Sequence, residues 1–426
     1  MLNTAKKLKA LNKMDFYKKN FFICVVFVFS QLKGQNQTRY IFLNTMPGRS
    51  FTVAKPSTYN RKLFDDVIKK VNAPVNSQMH LGISAIFDFL STDIDSVEKS
   101  LDRFMQISRE TKIPILINLD GINWMNGRPD LWNWWDPKLK GYNPANKKNV
   151  EWTSWDESSA IKISWRNWGK QFRVFPAPNL SSPAIIGAQI EALKRLVPRI
   201  VKWYNSLPSQ EKYLLGGVKL GHETSIGVNA YYYKNGNRYI EQMPHNTALD
   251  PLESYNPQAG INGGVAQIGF AAIKTAGIKN QGNITVADMQ QVVHFFLDTL
   301  CKTAFRLGLP KNIIYTHQGG TFAPWEKHLS FSAGVNDFSN PGWSFYSTDP
   351  NTAGDLGNVL DKRSTPGWAA VEWWWPGGDK NEWIHNLQTT LKYKGCRFLA
   401  IYNWEPLSML PSGGIDAIKE VIANWK

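Results

Sequence analysis

Apolar and polar residues alternate along this chain in blocks of two kinds. Short runs rich in Val, Ile, Leu and Phe have the length of buried strands. Between them lie longer segments with apolar residues every three or four positions, the spacing of an amphipathic helix. The pattern predicts eight strands: Tyr40–Thr45, His80–Leu90, Ile113–Leu119, Gly217–Glu223, Asn312–His317, Trp343–Ser347, Gly367–Trp375 and Cys396–Trp404. It predicts helices at 60–71, 95–111, 183–207, 265–276, 285–307, 382–393 and 415–425.

Strands that alternate with helices in one uninterrupted series are typical of parallel α/β folds. Eight such strands predict a (β/α)8 TIM barrel. No linker or internal repeat divides the series, so we expect residues 38–426 to form a single domain.

Two long stretches interrupt the alternation, one after the third strand and one after the fourth. The first, at about 124–180, is rich in Trp mixed with Asn, Asp, Pro and Lys. A long segment of this kind is either a functional loop or a small folded insert. Its tryptophans could therefore line a cleft, form a core of their own, or do both. The second stretch, 225–263, is rich in Tyr, Asn, Gly and Pro.

The first 35 residues do not fit the barrel pattern. Six lysines precede an apolar run, Phe21–Phe29, that is shorter than the roughly 20 residues needed to span a bilayer. A basic segment followed by a short apolar one indicates a secretory signal peptide at 1–35, and a membrane anchor is the alternative. We therefore expect a secreted or periplasmic protein that is not stably inserted in a membrane.

The charge balance is basic, but much of the excess lies in this leader. Seven lysines and one aspartate in residues 1–35 supply six of the fifteen formal positive charges. The remaining basic surface lacks a nucleic-acid motif, so nucleic acid is not an expected partner. Cys301 and Cys396 lie in apolar patterns and are expected to be buried free thiols. Neither a metal site nor a cofactor is predicted.

In a barrel of this class the reactive groups lie at the carboxyl ends of the strands. Most of those positions hold acidic, aromatic or histidine side chains: Asp88, Asp120, His222, Glu223, His317, Tyr346, Glu372, Trp404 and Glu405. The chain has no serine-nucleophile or phosphate-loop motif. Two carboxylates among aromatic rings suit the cleavage of a glycosidic bond, with one as the acid and the other as nucleophile or base. A carbohydrate is the expected substrate.

The glutamates that end strands four and seven, with a Trp at the end of strand eight, resemble the large clan of retaining (β/α)8-barrel glycoside hydrolases. The resemblance implies that Glu223 is the acid/base and Glu372 the nucleophile. It also matches Trp404 to a Trp that lines the sugar subsite. Tyr346 corresponds to a strand-six Tyr that often hydrogen-bonds the nucleophile.

The chain departs from the clan pattern at two places. His222 stands before the acid/base, where the clan usually has an Asn that binds the sugar 2-hydroxyl, and an imidazole could donate the same hydrogen bond. No arginine is found at the end of strand two, where many members have one.

The remaining candidates for substrate contact have structural alternatives as well. Asp120 could cap a helix, and His317 could be structural. Glu405 is a rival nucleophile, although Pro406 after it indicates the start of a loop and favours substrate binding. Trp124 and Trp373 complete the expected substrate-binding set, although the run 373–375 should alternate between the barrel interior and the helices.

Three other functions fit parts of the pattern. An inverting barrel glycosidase of the β-amylase type also has glutamates after strands four and seven. A non-catalytic glycan-binding barrel would keep the tryptophans but tolerate loss of either glutamate. A metal-dependent hydrolase would use His222, His317 and Asp120.

Overall fold

Eight parallel strands close into a barrel, which confirms the predicted (β/α)8 fold. The computed structural model describes residues 38–49, 55–162, 164–167, 171–230, 265–319, 329–347, 349–364, 367–409 and 413–426. Each strand pairs with its neighbours in chain order, and the first pairs with the last. The strands are β1 Arg39–Asn44, β2 Met79–Asp88, β3 Ile115–Asp120, β4 Leu215–Thr224, β5 Ile314–Gln318, β6 Gly342–Tyr346, β7 Trp368–Trp374 and β8 Cys396–Ile401.

The helices between the strands pack their apolar faces on the outside of the barrel. They are α1 Arg61–Val71, α2 Ile94–Thr111, α3 Pro129–Trp132, α4 Pro183–Ser206, α5 Phe270–Thr275, α6 Val286–Arg306, α7 Leu356–Asp361, α8 Lys380–Lys392, α9 Trp404–Met409 and α10 Gly414–Asn424. Helix α4 continues through Pro198. Helix α6 begins with a capping box between Thr285 and Asp288.

The barrel interior changes from apolar to polar toward the carboxyl ends of the strands. The lower interior is a separate apolar cluster of Tyr40, Phe42, Leu116, Tyr315, Ala369, Val371, Phe398 and Ala400. Further up, Ser84 Oγ donates to Asn44 Oδ1, and Asn118 Nδ2 donates to Ser84 Oγ at 3.2 Å. The polar groups therefore accumulate where active sites of this fold lie.

A β-bulge at Val371 breaks the in-and-out alternation of β7. On β6, Trp343 and Ser344 pair with Ala370 and Glu372, so Val371 is an extra residue. The pairing with β8 shifts in the same place. Val371 lies in the interior cluster, and the extra residue lets Glu372 face inward as well. Bulges commonly redirect a side chain next to an active site.

Two predicted elements differ from the structure near their ends. The helix expected at 265–276 is shorter, because 265–267 forms a strand antiparallel to 228–230 and helix α5 begins only at Phe270. Gly269, at a φ of 115° that favours glycine, makes the turn between them. Strand β8 ends at Ile401, and Trp404 begins a short helix where a strand end was expected.

The Trp-rich stretch after β3 contains folded structure, and several of its indole rings hydrogen-bond to main-chain carbonyl groups. Helix α3, two 3₁₀ turns and an antiparallel strand pair, 164–167 with 171–174, lie within it. Four indole N–H groups donate to main-chain carbonyl oxygens: those of Trp132, Trp134, Trp152 and Trp155. These four rings are buried or half-buried against the core, which is the arrangement of a folded insert.

Two expectations fall outside the described residues: the signal peptide at 1–35 and most of the loop after β4, at 231–264. In the part of the chain that is described, every helix is too short or too polar to cross a membrane. Cys301 and Cys396 are free and buried, as predicted.

Candidate active site

Glu223 lies at the end of β4 in an unusual main-chain conformation. Gly221 and Glu223 both have positive φ values, 75° and 47°. The pairing of β4 with β5 shifts register between Leu220 and Thr224, so this segment leaves the regular ladder. Glu223 is partly exposed there. A left-handed conformation in a residue other than glycine is uncommon and marks sites where the surroundings hold the chain in place.

Glu372 lies at the end of β7 and is 3% exposed. Its Oε2 accepts a hydrogen bond from Ser344 Oγ at 3.2 Å and lies 3.4 Å from Nε2 of His317. Its Oε1 lies 4.0 Å from Nε2 of His222. The carboxyl group is therefore approached by side chains from three strands, β4, β5 and β6.

His317, on β5, connects the two glutamates. The main-chain N–H of Glu223 donates to Nδ1 of His317 at 3.1 Å, so the hydrogen of a neutral ring must be on Nε2. Nε2 then donates to Ser344 Oγ at 2.8 Å, which leaves the Ser344 hydrogen for Glu372. Burial and the charge of Lys219 hold the pKa of His317 well below its usual value, which agrees with a neutral ring.

His222 lies beside His317, with ring centroids 5.0 Å apart at nearly right angles. Burial, followed by the charge of Lys219, holds its pKa well below the usual value. The ring is therefore neutral, and its contact with Glu372 is not an ion pair. Its buried Nδ1 has no hydrogen-bond partner among the described residues.

Lys219, which sequence reasoning missed, lies inside the barrel on β4 and is 1% exposed. Its Nζ donates to the Tyr402 hydroxyl at 2.8 Å. Burial lowers its pKa to about 8, opposed by the negative charges of Glu372, Glu223 and Asp120. A lone lysine in the apolar run 214–220 was the available signal, since a buried ammonium group is costly without carboxylates nearby.

Tyr346 and Tyr402 border the same carboxyl groups. Burial raises the pKa of each phenol well above its usual value, and the charges of Glu372 and Glu223 raise it further. Tyr346 also forms a side-chain hydrogen bond with Glu372. Both side chains are partly exposed and stay protonated. The structure thus brings together Tyr346 and Glu372, the pair that the clan resemblance implied.

Asp120 lies at the end of β3 and is 1% exposed. Its Oδ1 accepts a hydrogen bond from the main-chain N–H of Ile122 at 2.8 Å. Burial raises the pKa of Asp120 to about 6, and Lys219 acts against the shift. The charge contributions link Asp120 to both Lys219 and Glu223, so it belongs to the same site.

Trp373 is placed differently from the prediction. It is 2% exposed, donates its indole N–H to Thr390 Oγ1 on α8 at 3.2 Å, and packs against Trp383. The bulge at Val371 turns this ring toward the helices, so a substrate-binding role for Trp373 is wrong.

Three other candidates lie near the strand ends. Trp404, 7% exposed, starts α9 and packs in the main core. Glu405 accepts a hydrogen bond from the main-chain N–H of Met46 at 2.9 Å, and its buried Oε2 has no partner in the described structure. Trp124 is half-buried just after β3.

The comparisons with known proteins concern the fold. No protein-family model and no curated protein matches this chain. The catalytic domain of the β-amylase from Paenibacillus polymyxa is similar in structure, with a TM-score of 0.51 and 10% identity over 92% of this chain and 99% of that one. At this identity the likeness establishes the barrel architecture.

Two further solved structures are less similar. One is GH26A from Muricauda sp. MAR_2010_75, with a TM-score of 0.43 and 8% identity over 92% of this chain and 90% of that one. The other is a GH5-4 broad specificity endoglucanase from an uncultured bacterium, with a TM-score of 0.39 and 10% identity over 91% and 93%.

The arrangement can support acid–base and nucleophilic chemistry. A half-exposed glutamate on β4 and a buried, hydrogen-bonded one on β7 share contacts with His317 and influence the same lysine and tyrosines. Within the described ranges, no three His, Cys, Asp or Glu side chains are grouped so as to hold a metal ion.

Proposed function

We propose that this protein is a glycoside hydrolase that cleaves a poly- or oligosaccharide by double displacement. The observation that carries the proposal is the pair of glutamates at the ends of β4 and β7, joined through His317. Glu372 is fixed by Ser344 and Tyr346, as a nucleophile must be, whereas Glu223 is more exposed and can exchange protons with a leaving group and water.

In the first step, ionised Glu372 attacks the anomeric carbon while Glu223 gives its proton to the leaving oxygen. This breaks the glycosidic bond and forms a glycosyl ester with Glu372. In the second step, Glu223 takes a proton from water, and the oxygen of that water displaces Glu372 from the anomeric carbon. The two inversions give net retention of the anomeric configuration.

The neighbouring groups favour these roles. Neutral His317 and the Ser344 hydroxyl position Glu372 without neutralising it, and Lys219 places a positive charge within electrostatic reach of the same carboxyl group. This lysine provides the cation that the clan commonly carries as an arginine on strand two.

The test is a panel of 4-nitrophenyl glycosides in both anomeric forms, together with plant and bacterial polysaccharides. We expect turnover by the wild type and its loss in E372A, with sodium azide restoring reaction and giving a glycosyl azide of inverted configuration. E191Q, on the exposed face of α4, is the matched control. Wild-type activity in E372A would contradict the proposal, as would binding without turnover across the panel.

The anomer of the first product, followed by NMR, decides between mechanisms. Retention supports double displacement, and inversion would assign Glu372 to the activation of water as general base. The β-amylase with the similar barrel makes this measurement informative, but that likeness extends to the fold only.

We also propose that the protein is exported. The basic and apolar character of residues 1–35 supports this. Amino-terminal sequencing of the protein from the periplasm or culture medium should find a start near residue 36, whereas an intact leader in the membrane fraction would contradict it.

A further inference from the structure

Two aspartates end neighbouring strands on the side of the barrel opposite Glu372. Asp88 on β2 and Asp120 on β3 are directly paired across the sheet. In the closed barrel of eight strands, β3 and β7 are four strands apart in either direction, so they lie on opposite sides. Asp88 is 6% exposed and Asp120 is 1% exposed. A molecule held at Glu372 therefore has these two carboxyl groups on its far side.

The oxygens of the two aspartates are poorly satisfied within the described chain. Neither Oδ1 nor Oδ2 of Asp88 has a hydrogen-bond partner of good geometry there, although the main-chain N–H groups of Leu90 and Ser91 lie close enough to lower its pKa, and Oδ2 of Asp120 has no partner of good geometry either. Buried carboxyl oxygens almost always have hydrogen-bond partners, because leaving them unpaired costs free energy. Three unpaired oxygens on adjacent residues indicate that the pair binds something from outside the chain.

Two amide side chains nearby point to the same ligand chemistry. Asn118, two residues before Asp120 on the same inward face, has a fully buried Oδ1 without a partner among the described residues. Asn123 has a buried Nδ2 that likewise has no partner among the described residues, and its main-chain N–H donates a hydrogen bond to Asp120. Ile86, two residues before Asp88 on the same face of β2, is partly exposed, so solvent reaches this part of the barrel interior. Acceptors and a donor without partners thus lie on or directly after the same two strands.

The pair also carries a hydrogen of its own. Two adjacent buried carboxyl groups cannot both ionise at low cost. Burial and then the charge of Asp120 raise the pKa of Asp88 well above its usual value, and burial raises that of Asp120 to about 6. Near neutral pH one O–H donor and several acceptor oxygens are present, which matches hydroxyl groups that both donate and accept.

We propose that Asp88 and Asp120 form a binding site for the hydroxyl groups of an uncharged sugar ring, on the side of the ring that faces away from Glu372. This proposal rests on the proposed function and specifies its substrate class. A uronic acid carboxylate or a sulfate ester at this position would face two carboxyl groups. Among the described residues, Lys219 is the cation inside the barrel. It already donates a hydrogen bond to Tyr402, and its positive charge interacts with the negative charges of Glu372 and Glu223. The pair therefore selects neutral sugars despite the basic overall charge of the chain.

The test compares D88N and D120N with the wild type on 4-nitrophenyl glycosides of glucose, galactose, mannose and xylose, and on 4-nitrophenyl glucuronide. For the best neutral glycoside we expect kcat/KM to fall by about 30-fold or more in D88N, mainly through KM, because a buried hydrogen bond to a hydroxyl is lost. The wild type should not turn over the glucuronide. D65N, an exposed aspartate on α1, is the matched control.

Deoxygenated glycosides give a second measurement that does not depend on how well a variant folds. Removing the sugar hydroxyl that contacts Asp88 should lower the kcat/KM of the wild type by a similar factor. In D88N the same removal should lower kcat/KM only slightly, because the contact is already lost. D88N activity within about threefold of wild type would overturn the proposal, as would a preference for the glucuronide. Inactive E372A together with unaffected D88N would overturn this inference and leave the proposed function standing. If no glycoside of the panel is turned over, saturation-transfer NMR should measure binding of the same glycosides to the wild type and to D88N. Weaker binding to D88N supports the inference, and equal binding overturns it.

Discussion

The main-chain N–H of Glu223 donates a hydrogen bond to Nδ1 of His317 at 3.1 Å. This one contact fixes which nitrogen of the ring carries the hydrogen, and so directs Nε2–H toward Ser344 and Glu372. The acid/base and the nucleophile are thereby coupled through a neutral imidazole.

The first prediction concerns His317. Replacing it with Ala should lower kcat by about 100-fold or more, because both glutamates lose their shared positioning contact. H317Q, whose amide can accept at one end and donate at the other, should recover part of the loss. S344A should cost less than H317A, since it removes one contact with Glu372. Steady-state kinetics of the three variants check this order, and equal activity of H317A and wild type would contradict it.

The second prediction concerns Lys219. K219M should remove the alkaline limb of the kcat/KM profile near pH 8, because burial lowers the pKa of Lys219 to about 8 and the wild type loses this charge inside the barrel above that pH. Y402F removes the hydroxyl bound to Lys219 but keeps the ammonium charge, so its limb should stay in place. Profiles of wild type, K219M and Y402F from pH 4 to 9 measure this. A merely structural lysine would reduce the amount of folded protein without moving the limb.

The third prediction concerns Glu151 in the insert. It is buried, its Oε2 accepts from the main-chain N–H of Gly269 at 2.9 Å, and its Oε1 has no partner in the described structure. Burial raises its pKa from 4.5 to about 8. Between these values the unfolded chain is ionised and the folded one is protonated, so this group's contribution to stability falls as pH rises from 4.5 to 8.

Replacing Glu151 with Gln removes that titration. The free energy of unfolding of E151Q should exceed that of wild type at pH 7, by up to about 3 kcal/mol, and the difference should shrink toward pH 4.5. Urea unfolding at several pH values checks the trend, with E157Q at a half-exposed position of the insert as control. A difference that is constant with pH would argue against a protonated Glu151.

The fourth prediction separates Trp373 from the active site. W373F should lower the free energy of unfolding by about 1–3 kcal/mol, since the ring loses its hydrogen bond to Thr390 and part of its packing against Trp383. KM should remain unchanged, because the ring faces the helices. T390V tests the hydrogen bond alone. A large rise in KM with unchanged stability would place Trp373 against the substrate after all.

Local pattern was sufficient for much of the barrel. All eight strands lie where apolar runs of strand length were found, because a strand covered on both faces must be apolar along its length. The candidate carboxylates on strands four and seven followed from the same pattern, since the last residues of barrel strands are where polar groups can face a cleft. The helix predicted at 265–276 was partly wrong, because strand pairing with 228–230 outweighed the apolar periodicity of its first residues.

The sequence by itself determined the strand order, the fold class and the positions of Glu223 and Glu372 at strand ends. Only the tertiary structure decided which way the neighbouring side chains point. The extra residue at Val371 is set by pairing with β6 and β8, which lie at different distances along the chain, and it turns Glu372 inward and Trp373 outward. Likewise, Lys219 is matched to Glu372, Glu223 and Asp120 only once β3, β4 and β7 close around one interior. Register and charge pairing depend on residues distant in sequence, so alternation along a single strand cannot predict them.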